Sequence, residues 1–152
     1  MTACTVRHLS RHLTRLFAAL WLLLCMATAA SAAPLTAADE KNVRAVVQAQ
    51  LAAFAKDDAK AAFSFAAPNV RQAVGTAEAF MAMVRRDYPV VYRPSSVAFL
   101  NPEGKDGQVI QRVQMADAQG VSWLAVYSLQ QQGNKAWRIT GCAVVENKGR
   151  MA

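Results

Sequence analysis

A chain of 152 residues with 17 Lys and Arg against 10 Asp and Glu carries a formal charge of +7, and it has three cysteines and two histidines. His8, His12, Cys4 and Cys25 all precede residue 33, so residues 33–152 contain no imidazole and one thiol, Cys142. That excludes Ser-His-Asp and Cys-His constellations, imidazole zinc sites and paired-cysteine redox motifs from the body of the chain, which also lacks a Walker-type glycine loop and a Ser-x-x-Lys spacing.

The first 32 residues have the order of a cleavable export signal. Arg7, Arg11 and Arg15 form a cationic start without an acid, Leu16 to Ala27 an apolar run, and Ala30-Ser31-Ala32 a small-residue peptidase site. Cleavage is expected after Ala32. Two rivals use the same residues: an uncleaved anchor through 16–33, just long enough to span a bilayer, and an organelle presequence. In Leu22-Leu23-Leu24-Cys25 a bulky leucine stands where a small residue should precede the cysteine, which argues against lipidation, and the absence of paired arginines argues for the general export route. Removing the signal leaves 120 residues, the size of one domain. It also takes away three arginines, so 17 − 3 leaves 14 cations against 10 acids, a net of +4. Only Arg85, Arg86 and Arg93 cluster, which is no footprint for nucleic acid.

From residue 33 the apolar period is first helical. Thr36 with Asp39 reads as a capping box, and Val43, Val46, Val47, Leu51 and Phe54 follow at helical spacing to about Ala55. Asp58 caps a second, alanine-rich helix with Phe63 and Ala66 inward, stopped near Pro68. Gly75 and Thr76 mark another boundary, and Phe80, Met83 and Val84 give a third helix ending near Asp87.

After Pro94 the period is two. Val97 and Phe99 alternate before the turn-rich stretch 101–107, and Val109, Val113 and Met115 share one face of the next strand. Asp117-Ala118-Gln119-Gly120 is a tight turn. Val121, Trp123, Ala125, Tyr127 and Leu129 then face one way, Leu124 and Val126 the other. A turn through Gly133-Asn134 leads to Trp137, Ile139, Gly141, Ala143 and Val145 in alternation. Three helices followed by about four meandering strands predict an α+β fold, the helices packed on one face of an antiparallel sheet.

Gln50-Leu51-Ala52-Ala53-Phe54, Phe63-Ser64-Phe65-Ala66-Ala67-Pro68, the run from Met83 to Pro94 and Trp137-Arg138-Ile139-Thr140-Gly141-Cys142 resemble the uncharacterised bacterial family called domain of unknown function 4864. The order of elements resembles the nuclear-transport-factor-two-like, or cystatin-like, superfamily. The resemblance implies a conical domain with a curved sheet, a long helix and a pocket at the open end. It carries no activity to transfer, since relatives in the superfamily include isomerases, dehydratases, cyclases and non-catalytic binding modules.

The densest polar motif is Arg85-Arg86-Asp87-Tyr88-Pro89-Val90-Val91-Tyr92-Arg93-Pro94. Arg85, Arg86, Arg93, Tyr88 and Tyr92 could recognise a carboxylate or phosphate, because guanidinium groups offer planar paired donors. The same arginines could simply complement a helix C-terminus while the tyrosines pack. Asp87 with Tyr88 or Tyr92 is the only compact Asp/Tyr group for acid-base catalysis, although side chains adjacent at a helix end point apart. Asp57-Asp58 reads as a cap and turn. Trp123 is a candidate pocket wall, and Cys142 in an apolar strand reads as a buried thiol. No cofactor or metal is expected. A small or amphipathic ligand, a protein partner or a second copy of the chain are the expected partners, and the membrane only if the segment 16–33 stays attached.

Overall fold

The computed structural model describes residues 35–105 and 107–148. The expected export segment lies outside them. No described helix is long and apolar enough to cross a membrane.

Helix α1, Ala37–Ala55, begins where expected: the Thr36 hydroxyl oxygen accepts from the Asp39 amide at 3.1 Å, and the hydroxyl donates to the Asp39 carboxylate at 2.6 Å. This satisfies one of the amides a helix start leaves without a partner. Its inner face buries Val43, Val47, Gln50, Ala53 and Phe54. Helix α2, Ala59–Ser64, is capped by Asp58, which accepts from the Ala61 amide at 2.9 Å. Pro68 does not merely stop that helix. It opens a further one, α3, Pro68–Val74, because proline suits a first helical turn, where its missing N–H has no intrahelical acceptor. Gly75, at φ 89°, ends α3, and Thr76 caps α4, Ala77–Asp87. Pro89 then opens a single turn, α5, Pro89–Tyr92.

The strands are β1, Ser96–Phe99; β2, Glu103–Lys105; β3, Gln108–Ala116; β4, Ser122–Gln131; and β5, Trp137–Glu146. All ladders are antiparallel, in the order β1-β3-β4-β5, with β2 pairing the other end of β3. β1 and β2 are therefore two pieces of one interrupted edge. Gln111 of β3 serves the gap, since its amide nitrogen donates to the carbonyls of Leu100 at 2.7 Å and Arg112 at 2.9 Å. The opposite edge, β5, is covered where Ile139 exchanges backbone bonds with Phe65 and Ala67 at 2.9 and 2.8 Å. Covering an edge in this way removes a template for unwanted strand pairing.

The α+β class and antiparallel sheet are those the sequence predicts. The three expected helices correspond to α1, α2 and α4, and the four strands to β1, β3, β4 and β5. The short elements α3, α5 and β2 are additions, each only three to seven residues long and below the reach of periodicity. One expected face is wrong. A bulge where the β4–β5 register shifts, between Ser128 and Leu129, switches the alternation within β5. Trp137 and Ile139 point inward as expected, but beyond the bulge it is Cys142 and Val144 that lie opposite the inward Tyr127 and Ala125. Gly141, Ala143 and Val145 fall on the outer face, and Val145 is 53% exposed. A bulge inserts one unpaired residue and so moves every later side chain to the other face.

The core lies between the helices and the inner sheet face, where Val113, Ala125, Tyr127 and Leu129 are fully buried against the face of α1 that carries Val43, Val47 and Phe54. Phe80 of α4 meets Phe54 and Phe63 with ring centroids 5.9 and 5.4 Å away, in tilted geometry. Burying each such ring is worth about 1.5–3 kcal/mol.

Candidate functional site: an inner cavity and an outer groove

Across the middle of the inner sheet face, three adjacent strands each present a polar group at one level. Gln111 of β3 pairs with Tyr127 of β4, which pairs with Cys142 of β5. Above this row Gln50 of α1, 3% exposed, donates to the Ala62 carbonyl at 3.1 Å and retains an acceptor oxygen. The surroundings are apolar. A cavity of about 150 Å³ is lined by Phe54, Val70, Phe80, Met83, Val91 and Ile139 together with Gln50, Tyr88, Tyr127, Cys142 and small neighbours.

Tyr127 is the anomaly. It is completely buried, and its hydroxyl meets no nitrogen or oxygen partner, with the weakly accepting Cys142 thiol beside it. A buried hydroxyl left unpaired costs roughly 1–3 kcal/mol, so such groups are rare and usually point to something that completes them. Burial pushes the Tyr127 phenol well above its ordinary range, with the Cys142 thiol beside it adding to the shift. Cys142 is likewise pushed up to about 12 by burial, an effect the Tyr127 hydroxyl partly offsets. Both groups are therefore neutral at neutral pH. Gln111 is also completely buried and keeps an unpaired carbonyl oxygen, but its amide nitrogen holds the interrupted edge.

The arginine and tyrosine motif folds onto a residue the sequence reading treats only as a turn. Asp57, at φ 57°, holds the left-handed conformation that aspartate tolerates better than most residues. Its carboxylate accepts from Arg85 at 2.7 Å and from Arg93 at 3.0 Å, and also from the Tyr92 hydroxyl. Both guanidinium groups lie about 5 Å from the centre of the Tyr92 ring, at 5.1 and 5.0 Å. The Tyr92 hydrogen bond, then the Arg85 hydrogen bond and the two positive charges, hold Asp57 below the usual carboxylate range. Each pair is exposed and individually weak, but the shared carboxylate ties the α1–α2 turn to both ends of the segment 85–93.

Arg86 does neither. It forms a two-point pair with its neighbour Asp87, at 2.7 and 2.8 Å, on the exposed end of α4. Asp87 is lowered by that hydrogen bond first. Tyr88 lines the inner cavity and Asp87 does not. Among the described residues no carboxylate is buried.

A second hollow, about 310 Å³, is where Asp87, Tyr88, Arg93 and Trp123 come together with Asp117 and Val144. Its Asp87, Asp117 and Trp123 side chains already have partners. Trp123 donates through its indole N–H to Asp117 at 2.8 Å, while the other oxygen of Asp117 accepts from the amides of Gln119 and Val121 at 3.0 and 2.9 Å. These bonds, the indole one first, lower the Asp117 pKa. Trp123 is thereby the anchor of the β3–β4 turn as well as a wall. Tyr88, half-buried, lines both hollows.

Of the six binding candidates in the sequence, Tyr88, Arg93 and Trp123 meet at the outer groove, Arg85 and Tyr92 join Arg93 on Asp57, and Arg86 stands apart. Sequence reasoning missed Gln50, Gln111 and the partnership of Asp57, and it read Tyr127 as core. A signal was available for two of them. Gln111 occupies an inward position between Val109 and Val113, and Gln50 shares the helical face of Val43, Val47 and Phe54, so each interrupts an otherwise apolar pattern.

Residues 36–152 match the model of a family described as Domain of unknown function (DUF4864), and the chain belongs to that family. A solved structure titled as an NTF-2 like protein of unknown function from Burkholderia xenovorans LB400 is similar at 14% identity and a TM-score of 0.47, over 74% of this chain and 88% of that one. No curated protein matches the chain.

Proposed function

We propose that this member of the family is an exported domain that binds a small ligand, without chemistry, in the inner cavity. The completely buried Tyr127 hydroxyl, on the wall of an apolar cavity with no nitrogen or oxygen partner and the weakly accepting Cys142 thiol beside it, carries the reading. Mostly apolar hollows with a few placed polar groups are what small-molecule sites look like. Export is argued from the residue order of 1–32, and the domain that follows supplies no histidine for catalysis. An acid-base route through Asp87 finds no support in its position, which is exposed and occupied by Arg86. Native mass spectrometry of the protein purified from its own envelope fraction tests the reading. A retained small molecule is expected, and it should be absent from a Val70→Phe variant, which fills the cavity from a half-buried position on α3. Repeated recovery of the empty chain, with no thermal shift from a broad set of small metabolites, would sink it.

A second reading, self-association through the outer sheet face, is favoured by Leu124, Val126, Ala143 and Val145. They lie on adjacent strands on the side away from the helices, with Val145 the most exposed large apolar residue described. Sedimentation of the full chain with and without Val145→Lys tests it, and a monomer at high concentration rejects it.

A further inference from the structure

Resting on the reading that the inner cavity binds a ligand, we infer that the ligand is a neutral molecule of roughly benzene size carrying a hydrogen-bond acceptor, a carbonyl above all, which takes the proton of the Tyr127 hydroxyl. Size comes first. A hollow of about 150 Å³ is half the volume of the smallest ordinary drug-sized site and equals that of an apolar protein cavity known to hold benzene.

Charge follows from the lining. None of its side chains is ionisable to a cation, and the nearest clustered cations, Arg85 and Arg93, are already committed to Asp57. An ionised carboxylate or phosphate entering this space would lose its hydration with no counter-charge in return. The same burial keeps the Tyr127 phenol and the Cys142 thiol protonated, so an ammonium ligand would find no anion either.

Polarity follows from which hydrogen-bonding capacity is unused. The Tyr127 hydroxyl is a strong donor and a weak acceptor, it bonds no nitrogen or oxygen, and the group beside it is the Cys142 thiol, whose sulfur is a weak acceptor. Gln50 has spent an amide hydrogen on Ala62, and the Cys142 thiol, beside the Tyr127 hydroxyl, makes a contact of 4.0 Å with the Ala143 carbonyl. The poorly met buried donor is therefore the Tyr127 hydroxyl, which calls for an acceptor, while the Gln50 oxygen can in addition take a donor. A ligand that supplies that acceptor recovers the penalty of the poorly met hydroxyl, whereas a hydrocarbon of the same shape leaves it in place.

The test uses the full chain and three probes of similar size, acetophenone, ethylbenzene and benzoate, titrated by calorimetry at neutral pH into the native protein and a Tyr127→Phe variant. Acetophenone should bind the native protein about tenfold more tightly than ethylbenzene, the scale of one buried hydrogen bond, and benzoate should bind least. In Tyr127→Phe that preference should vanish while ethylbenzene binding is kept or improved, which also shows that the variant is folded. Equal affinities for acetophenone and ethylbenzene, as when a trapped water already serves the hydroxyl, overturn the ligand class and leave the cavity reading standing. So does a preference that survives Tyr127→Phe, or benzoate binding tightest. If none of the three binds the native protein, the cavity reading falls and the ligand class with it.

Discussion

The segment Arg85–Arg93 and the row Gln111-Tyr127-Cys142 are opposites in how they use polar groups. The first is crowded with charge, and nearly all of it is spent internally: three donors converge on Asp57 and Arg86 takes Asp87. The second has no charge and little polarity, yet it contains a buried hydroxyl with no nitrogen or oxygen partner, set beside the weakly accepting Cys142 thiol. Density of functional groups is thus a poor guide to where a ligand binds. What matters is capacity left over after folding, and an exposed arginine can always be satisfied by water or a neighbour. A buried hydroxyl cannot, so its vacancy carries more information.

The contrast can be broken at its apolar frame first. Phe54→Ala, which removes a ring that is 1% exposed and packed on Phe80, should cost about 3–5 kcal/mol in urea unfolding and enlarge the inner cavity. A loss below about 1 kcal/mol would mean that the helices are not held by this cluster. Next, Tyr127→Phe should leave stability unchanged or raise it by about 1 kcal/mol, since it deletes a polar atom without a nitrogen or oxygen partner. A clear loss in the urea midpoint would show that the hydroxyl is satisfied after all.

The Cys142 thiol, pushed up to about 12, should react with iodoacetamide only slowly at pH 8, because the thiolate is the nucleophile. Its raised value also places its contribution to stability below the unfolded thiol range, to be lost as pH rises from about 9 toward 12. Labelling as fast as for an unfolded chain would show that the thiol is open to solvent. On the surface, Asp57→Asn keeps a residue tolerant of φ 57° but removes the charge, and should lower the melting temperature by a few degrees at pH 7. The sign follows from Asp57 being depressed in the fold: the stabilisation is present above the ordinary carboxylate value of 3.8 and is lost as pH falls through the lower folded one. The difference between native and variant should therefore close in acid. The smallest effect belongs to Arg86→Ala, whose side chain is 74% exposed, and which should change neither melting temperature nor ligand binding measurably.

Much was legible from residue order because it depends on neighbours in the chain. Thr36, Asp58 and Thr76 cap the helices they precede, which follows from the short reach of a side-chain oxygen to an amide three residues on. Strict alternation placed Tyr127 and Ala125 on one face of β4, and the confinement of both histidines to residues before 33 limits the chemistry open to the rest of the chain. The bulge at Ser128/Leu129, the closure of Arg85, Tyr92 and Arg93 on Asp57, and the meeting of Gln111, Tyr127 and Cys142 were decided only in three dimensions. Each depends on which strand lies beside which and in what register. A hydrogen bond between residues 28 or 36 positions apart leaves no period in the sequence, and neither does a hydroxyl that finds no nitrogen or oxygen partner.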